Sequence, residues 1–350
     1  MRIFVMLAIL LSAPAAIAAQ EGGAADEAQY VKEYKAGAVF TFDCFGAEED
    51  EACVAMIDHY RAAMDASDAN EAVRHYIFKD YIHAKAVRAS HFRENSEPEK
   101  ALPILVEAYA EMMEHYDGGN HFHTLIDNLR MQQELYLTLA ILGRADQAAV
   151  IRGNVRETGA KLYAQRDKVA GNEQATKVFN AGLIGSEEFE TALADLHTER
   201  AKMFEAEGNA ARAKAERAIA IEGWQRATDW VIRSAEAGIQ GMMSQRGEIR
   251  VGNAQIALGS LLHDEGRDEE ALEAFVYGGG FGCALAKDAE ANKLDQSFGQ
   301  SICDRASMGY LLASGKAAEI AREQSEAMYR QQMELLNTDI GPALEAMRKD

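Results

Sequence analysis

Residues 253–277, NAQIALGSLLHDEGRDEEALEAFVY, carry the strongest structural signal in the chain. Leu258 and Leu262 belong to an apolar stripe with helical spacing, and Gly266 follows where that helix is expected to end. Asp268 then precedes a second apolar stripe whose first turn is acidic, and carboxylates stabilise the N-terminus of a helix through its dipole. The segment therefore predicts two short amphipathic helices joined by a tight turn.

This predicted helix pair resembles a tetratricopeptide repeat. The matching residues are Leu258, Gly259, Leu262, Gly266, Ala271 and Phe275. The pattern departs from the family at Gln255, which replaces the usual Trp, and no Pro follows the second helix. The resemblance implies a scaffold of stacked helix pairs, because one pair cannot bury its own apolar face.

Weaker copies of the same pattern occur elsewhere in the chain. They span residues 197–223, 132–153 and 81–109, and the faintest covers 307–324. The expected turn residues of the five copies are Ser96, Gly143, Gly208, Gly266 and Gly315. Their separations of 47, 65, 58 and 49 residues exceed the roughly 34 of a regular tetratricopeptide array. We therefore predict an irregular array.

The composition favours an all-α fold, because strong helix formers dominate and only 4 prolines occur among 350 residues. We predict an irregular α-solenoid of antiparallel helix pairs, with another kind of helical solenoid or a helical bundle as alternatives. The expected organisation is a signal peptide at residues 1–18, a flexible segment at 19–36 and one helical repeat domain at 37–350.

The N-terminus has the pattern of a signal peptide. Arg2 precedes an apolar run from residue 3 to residue 11, and Ala16 and Ala18 offer a small-residue cleavage site. No cysteine lies directly after that site, so a lipid anchor is not expected. Since no later apolar run reaches the roughly 20 residues of a membrane span, we predict a soluble, exported protein, with the periplasm as the expected destination.

The cysteines form two local groups. Cys44, Cys53, Cys283 and Cys303 are an even set, as expected for disulfides in an exported protein. Three pairings are possible, and we predict the local one, Cys44 with Cys53 and Cys283 with Cys303. A redox or metal site is the alternative, although the chain has no Cys-x-x-Cys motif and the cysteine spacings do not fit zinc.

The formal charge of -20 restricts the partners. Removal of residues 1–18 would change it to -21, because Arg2 is the only charged residue there. A strongly acidic chain repels phosphates, so we expect neither nucleic acid nor anionic membranes as partners. A basic protein partner or a divalent cation is compatible with this charge, and ordinary solvated helix faces are the simpler explanation.

The resemblance also implies a groove lined by the first helix of each pair, which in this family commonly holds a peptide. The residues placed on it are Asn253, Ile256, Ser260, His263, Thr198, Lys202, Glu205, His83, Ser90 and Arg93. Each of them is also explained as an ordinary solvent-facing helix residue. The oligomeric state and the identity of the partner do not follow from the sequence.

The segment HYDGGNHFH at residues 115–123 is the strongest enzyme-like pattern. His115, Asp117, His121 and His123 offer imidazole and carboxylate ligands for a transition metal. A surface loop between two helices explains the same residues. No cofactor is expected from the rest of the chain.

Two other features have structural interpretations. The glycine-rich run at residues 277–283 lacks the features of a phosphate-binding loop and is expected to end the second helix. Trp224 and Trp230 are expected in the core, with an aromatic ligand platform as the alternative.

The sequence thus predicts an exported, TPR-like scaffold that mediates protein–protein interactions in the cell envelope without catalysis. The alternative is a metal-dependent enzyme, or a small-ligand-binding protein, that uses the histidine loop at residues 115–123.

Overall fold

The computed structural model describes residues 28–46, 49–66, 68–116, 122–169, 172–236, 245–291 and 297–316. Every regular element in these ranges is an α-helix, which confirms the all-α prediction. The helices are α1 (Gln29–Val39), α2 (Thr41–Phe45), α3 (Asp50–Asp65), α4 (Glu71–Glu94), α5 (Pro98–His115), α6 (Phe122–Ile141), α7 (Ala145–Tyr163), α8 (Arg166–Val169), α9 (Glu173–Ala206), α10 (Ala210–Glu236), α11 (Gln245–Asp264), α12 (Asp268–Ala291) and α13 (Ser297–Ala313).

The chain divides into two compact units, an N-terminal unit, Met1–Gly185, and a C-terminal unit, Ser186–Asp350. The sequence predicted one helical domain from residue 37, and the division falls within the 34-residue helix α9. Helix α1 begins at Gln29, inside the segment that was expected to be flexible. The predicted signal peptide lies outside the described residues.

Five helix ends share one backbone geometry. Ser96 has a φ of 63°, and Gly143, Gly208, Gly266 and Gly315 have φ values between 71° and 75°. These are the five turn residues that the sequence predicted. The left-handed conformation lets the chain reverse over a few residues, and glycine adopts it without a Cβ penalty.

A hydrogen-bond pattern recurs at four of these turns. In each, the residue after the left-handed one donates its backbone N–H to the carbonyl five residues earlier, which satisfies a carbonyl at the helix end. The bonds run from Glu97 to Phe92, Arg144 to Leu139, Asn209 to Phe204 and Arg267 to Leu262, at 2.7 to 3.0 Å. The turns therefore join four pairs of helices: α4 with α5, α6 with α7, α9 with α10, and α11 with α12.

In the N-terminal unit, neighbouring helices along the chain pack together from α3 to α7, and α1 packs on α3. Helix α4 also contacts α6, so the first helices of two successive pairs meet. The disulfide between Cys44 and Cys53 links α2 to α3, with their Cα atoms 4.6 Å apart. This confirms the first predicted cysteine pair.

In the C-terminal unit, α10 to α13 pack in chain order, and α11 also contacts α13. Trp224 of α10, Leu262 of α11, Phe275 of α12 and Ile302 of α13 belong to one hydrophobic core. The Cα atoms of Cys283 and Cys303 lie 4.8 Å apart in a second disulfide, between α12 and α13. The predicted local pairing of the cysteines is therefore confirmed.

The glycine-rich run at residues 277–283 does not end the second helix, and that prediction was wrong. Helix α12 continues through it to Ala291. A Cβ added at Gly278 would lie 3.0 Å from the carbonyl oxygen of Gly252 in α11, and one at Gly282 would lie 2.7 Å from the backbone nitrogen of Cys303 in α13. These glycines let the backbones of α11 and α13 approach α12 closely.

None of the described helices combines the length and the apolar character that crossing a membrane requires.

Candidate functional site

A groove with a cavity volume of about 280 Å³ lies in the C-terminal unit, between α9, α10 and α11. Its lining residues are Asp195, Thr198, Glu199, Ala201, Lys202 and Glu205 from α9, Arg217 and Trp224 from α10, and Ala257, Ser260, Leu261 and Asp264 from α11. Helices α9 and α11 are the first helices of two successive pairs. The groove therefore lies between the first helices of two successive pairs and α10, the second helix of one of them.

Helical periodicity places these residues on one surface. The α9 residues recur at intervals of three or four from Asp195 to Glu205, and the α11 residues do so from Ala257 to Asp264. Side chains at this spacing share a helix face. Ala201 and Leu261 are buried and form an apolar floor, whereas Ser260 is exposed.

Carboxylates outnumber cations in the groove. Its lining includes the acidic residues Asp195, Glu199, Glu205 and Asp264 and the basic residues Lys202 and Arg217. Both cations are in ion pairs: Lys202 Nζ lies 2.7 Å from Glu199, and Arg217 bridges Glu205 and Glu265. The exposed surface of the groove is consequently acidic.

Trp224 lines the groove and carries an unpaired hydrogen-bond donor. Its side chain is 8% exposed and packs in the hydrophobic core of the C-terminal unit. Its buried Nε1–H has no hydrogen-bond acceptor within the described chain. A buried donor without an acceptor is costly, at roughly 1–3 kcal/mol, and an indole nitrogen can only donate.

Ion pairs between α9 and α10 hold the groove walls together. Glu216 of α10 contacts His197, whose side chain is buried, and lies 3.0 Å from Arg200. Burial by itself would raise the pKa of Glu216, but the hydrogen bonds from His197 and Arg200 hold that pKa below its usual value. This carboxylate stays ionised and fixes the register of the two helices.

The structure brings four of the ten predicted groove residues together. Thr198, Lys202, Glu205 and Ser260 line the groove. Thr198 and Ser260 also donate hydrogen bonds to the carbonyls of the residues four positions earlier, at 2.7 and 2.9 Å. Their hydroxyl oxygens still have lone pairs for a ligand.

Three predicted groove residues of α11 lie elsewhere. Ile256 is 5% exposed and belongs to the hydrophobic core, so it is not a groove-wall residue. Asn253 accepts a hydrogen bond from Arg305 of α13 at 3.0 Å. His263 contacts Asp268 at 2.7 Å beside the turn to α12. Ile256 thus lies beside Gly278 of α12, Asn253 contacts α13, and His263 lies beside the turn.

His83, Ser90 and Arg93 belong to α4 of the N-terminal unit, and none of the three is fully exposed. His83 packs edge-on against Phe45, and its burial, with nearby cations, lowers its pKa to about 3. Arg93 lies 3.0 Å from Glu134 of α6. Each of these side chains already has a partner within its own unit, since Ser90 donates to the carbonyl of Val87.

The predicted metal loop falls largely outside the described residues. Asp117 and His121 are not described, nor is the side chain of His123. His115 stacks on Phe78, and its Nε2 lies 3.3 Å from Nδ1 of His75. Within the described ranges, no group of three or more His, Cys, Asp or Glu residues could hold a metal ion. The metal site stays a prediction.

No protein-family model and no curated protein sequence matches this chain. The groove must therefore be interpreted from its own residues.

Sequence reasoning missed the acidic ends of the groove and its aromatic wall. Asp195 continues the Thr198 stripe by one turn of α9, and Asp264 continues the Ser260 stripe by one turn of α11. Extending each predicted stripe by one turn would have found both. Trp224 is a core residue, as expected, and it also lines the groove, while its role as an aromatic ligand platform stays a prediction.

Proposed function

We propose that this protein is an exported, non-enzymatic scaffold that binds a segment of another envelope protein in the groove between α9, α10 and α11. The observation that carries the proposal is the groove itself. The first helices of two successive pairs line it with exposed polar side chains above an apolar floor. Such a surface suits an extended or helical peptide, which needs both hydrogen bonds and apolar contact.

The packing within the pairs supports the tetratricopeptide-like interpretation. A Cβ added at Gly259 would lie 2.8 Å from the ring of Phe275. The aromatic ring of α12 therefore packs directly against the glycine of α11. The corresponding residues of the copy at 197–223 are also buried: Ala201, Phe204 and Ala213. The sequence pattern thus coincides with helix-to-helix contact in the pair α11–α12 and with burial in the pair α9–α10.

The disulfides support the exported setting. All four cysteines are paired in two disulfides, and such bonds form and persist in oxidising compartments. The signal-peptide pattern at residues 1–18 points to the same setting.

Photo-crosslinking tests the proposed function. A benzophenone amino acid at position 260 is expected to capture a specific protein in the native host, whereas the same residue at position 307 captures none of it. Ser307 is a matched control because it is an exposed helical serine whose hydroxyl also donates to the carbonyl four residues earlier, at 2.8 Å.

The captured protein is then purified and tested for direct binding. Ser260→Trp fills the groove and is expected to abolish binding, whereas Ser307→Trp binds as the wild type does. Equal capture from both positions, or full binding by Ser260→Trp, contradicts a partner site in this groove.

A further inference from the structure

We propose that the groove recognises a lysine or arginine side chain of its partner, and that Trp224 donates a hydrogen bond to a nearby oxygen of the same segment. This inference rests on the proposed function and specifies the chemistry of the partner. It follows from the charge, the unpaired donor and the size of the groove.

The charge balance selects a cation. Four carboxylates and two cations line the groove, which leaves a net charge of -2. Lys202 and Arg217 already contact Glu199, Glu205 and Glu265. Among the described residues, no lysine or arginine lies within ion-pair distance of Asp264. Because Asp264 lines the groove, its carboxylate can accept a cation of the partner.

An acidic partner segment would meet the opposite situation. To bind Arg217 it would displace Glu205 or Glu265, and it would bring its own carboxylates beside Asp195 and Asp264. Like charges in close contact cost several kcal/mol at an interface. The groove therefore discriminates against acidic segments as well as favouring basic ones.

The indole of Trp224 adds a second, independent requirement. The Trp224 side chain is part of the groove lining, and its Nε1–H is buried and unpaired. Only a hydrogen-bond acceptor can satisfy it. The backbone carbonyl of an extended segment supplies such an acceptor next to any side chain, so a lysine or arginine residue can meet both requirements at once.

The size and floor of the groove fit one long side chain. Its volume of about 280 Å³ is near the lower end of small-ligand pockets, which hold roughly 300–1,000 Å³. Ala257 and Leu261 offer apolar contact to the methylene stem of a lysine or arginine, which keeps its charged end toward the carboxylates.

Peptide selection provides the test. A display library of random short peptides is selected against the full-length protein, and individual peptides are then synthesised. We expect lysine or arginine at a fixed position of the selected peptides. Replacing that residue with norleucine is expected to lower the affinity at least about tenfold, since charged hydrogen bonds contribute roughly 1.5–3 kcal/mol.

Substitutions test whether the selected peptides bind in the groove. Asp264→Lys is expected to lower the affinity at least about tenfold. Glu273→Lys, which changes the net charge equally at an exposed site of α12, is expected to bind as the wild type does. Asp264→Asn serves as a milder variant, and circular dichroism verifies that each variant is folded.

The indole N–H gives a direct readout. The chain has 2 tryptophans, so its ¹H–¹⁵N spectrum has two indole signals, and Trp224→Phe assigns them. The Trp224 signal is expected to move when a selected peptide is added, whereas the Trp230 signal does not. Trp224→Phe is also expected to weaken peptide binding severalfold.

The outcomes separate this inference from the proposed function. If the selected peptides lack a fixed basic residue, and Ser260→Trp abolishes their binding, the inference is wrong and the proposed function still holds. Unchanged affinity in Asp264→Lys, or an unmoved Trp224 signal, also overturns the inference. Failure to select any peptide, or full binding by Ser260→Trp, counts against both.

Discussion

At Gly266 the backbone enters the left-handed region, with a φ of 73°, and the chain reverses from α11 into α12. A Cβ added at this glycine would meet no atom within 4 Å, so backbone conformation alone determines which residues fit. The left-handed conformation costs an ordinary L-residue roughly 1–2 kcal/mol. Glycine is therefore required here because of the backbone conformation, and not because a side chain would lack room.

Gly266→Ala is expected to lower the free energy of unfolding by about 1 kcal/mol. Gly280→Ala is the matched control, because its Cβ would also lie in open space but within the regular helix α12. There alanine is expected to stabilise the protein by roughly 0.5–1 kcal/mol. Urea denaturation followed by tryptophan fluorescence measures both, and equal effects of the same sign contradict the conformational argument.

Glu187 is a buried carboxyl group in the C-terminal unit. Burial raises its pKa from 4.5 to about 7, even though Arg250 lies 2.8 Å away. Between these two pKa values the folded state binds more protons than the unfolded state, so its stability decreases as the pH rises. This residue makes the protein more stable under mildly acidic conditions than at neutral pH.

Glu187→Gln removes that dependence. We expect the stability of the variant relative to the wild type to increase as the pH rises from about 4.5 to about 7, by an amount on the order of 3 kcal/mol. The control is Glu188→Gln, because exposed Glu188 contacts the same Arg250 at 3.2 Å. Urea titrations at several pH values give both profiles, and parallel profiles for Glu187→Gln and the wild type argue against a titrating Glu187.

Helix α12 shows how glycines act at the scale of an element. Its glycine run allows α11 and α13 to approach within backbone contact distance, which a β-carbon on every residue would prevent. Positions only two residues apart have opposite requirements. Gly280 faces open space, whereas Gly282 faces Ile302 and Cys303 of α13.

Gly282→Ala is expected to destabilise the protein by roughly 1–3 kcal/mol, because the new methyl group overlaps the backbone of α13. Gly280→Ala in the same helix again serves as the control and is expected to be neutral or stabilising. Thermal melts of the two variants measure the difference. A Gly282→Ala variant as stable as Gly280→Ala would show that α13 can move aside at little cost.

Helix ends and cysteine pairs could be predicted from the sequence because their signals are local. Gly143, Gly208 and Gly266 each follow an apolar stripe, and helix reversal with a left-handed glycine needs no knowledge of distant residues. The continuation of α12 through Gly278 could not be predicted in this way. It depends on the surface of α11, and tertiary contact overrides the low helix propensity of glycine.

The groove was predictable only in part for a related reason. The resemblance located its two main helices and four of its lining residues. It did not show that Ile256 faces the core or that Trp224 reaches the groove, since both depend on the rotation of each helix against its neighbours. Burial of Glu187 is likewise a consequence of packing that no short sequence pattern reveals.

At the scale of the whole molecule, the net charge of -20 affects folding and binding in opposite directions. Repulsion between carboxylates destabilises the compact state. The same carboxylates would attract the basic partner that we propose for the groove. Salt weakens both effects, because the screening length shortens from about 30 Å at 0.01 M to about 10 Å at 0.1 M ionic strength.

Raising the salt concentration over this range is therefore expected to raise the melting temperature and to lower the affinity for a basic peptide. Melting curves and fluorescence anisotropy titrations at matched salt concentrations measure the two effects. Near the isoelectric point of about 4.9 the effect of salt on melting should largely disappear. A melting temperature that decreases with salt at neutral pH contradicts net repulsion.

The two disulfides join cysteines that are consecutive along the chain. In the proposed export the first pair would emerge before the second, and an oxidase that joins cysteines in order of arrival would make the native set directly. The probability that two thiols meet decreases as the loop between them lengthens, so the short native loops also form faster than any crossed pair. We therefore expect maturation of this protein in an oxidising compartment to require an oxidant but no disulfide isomerase.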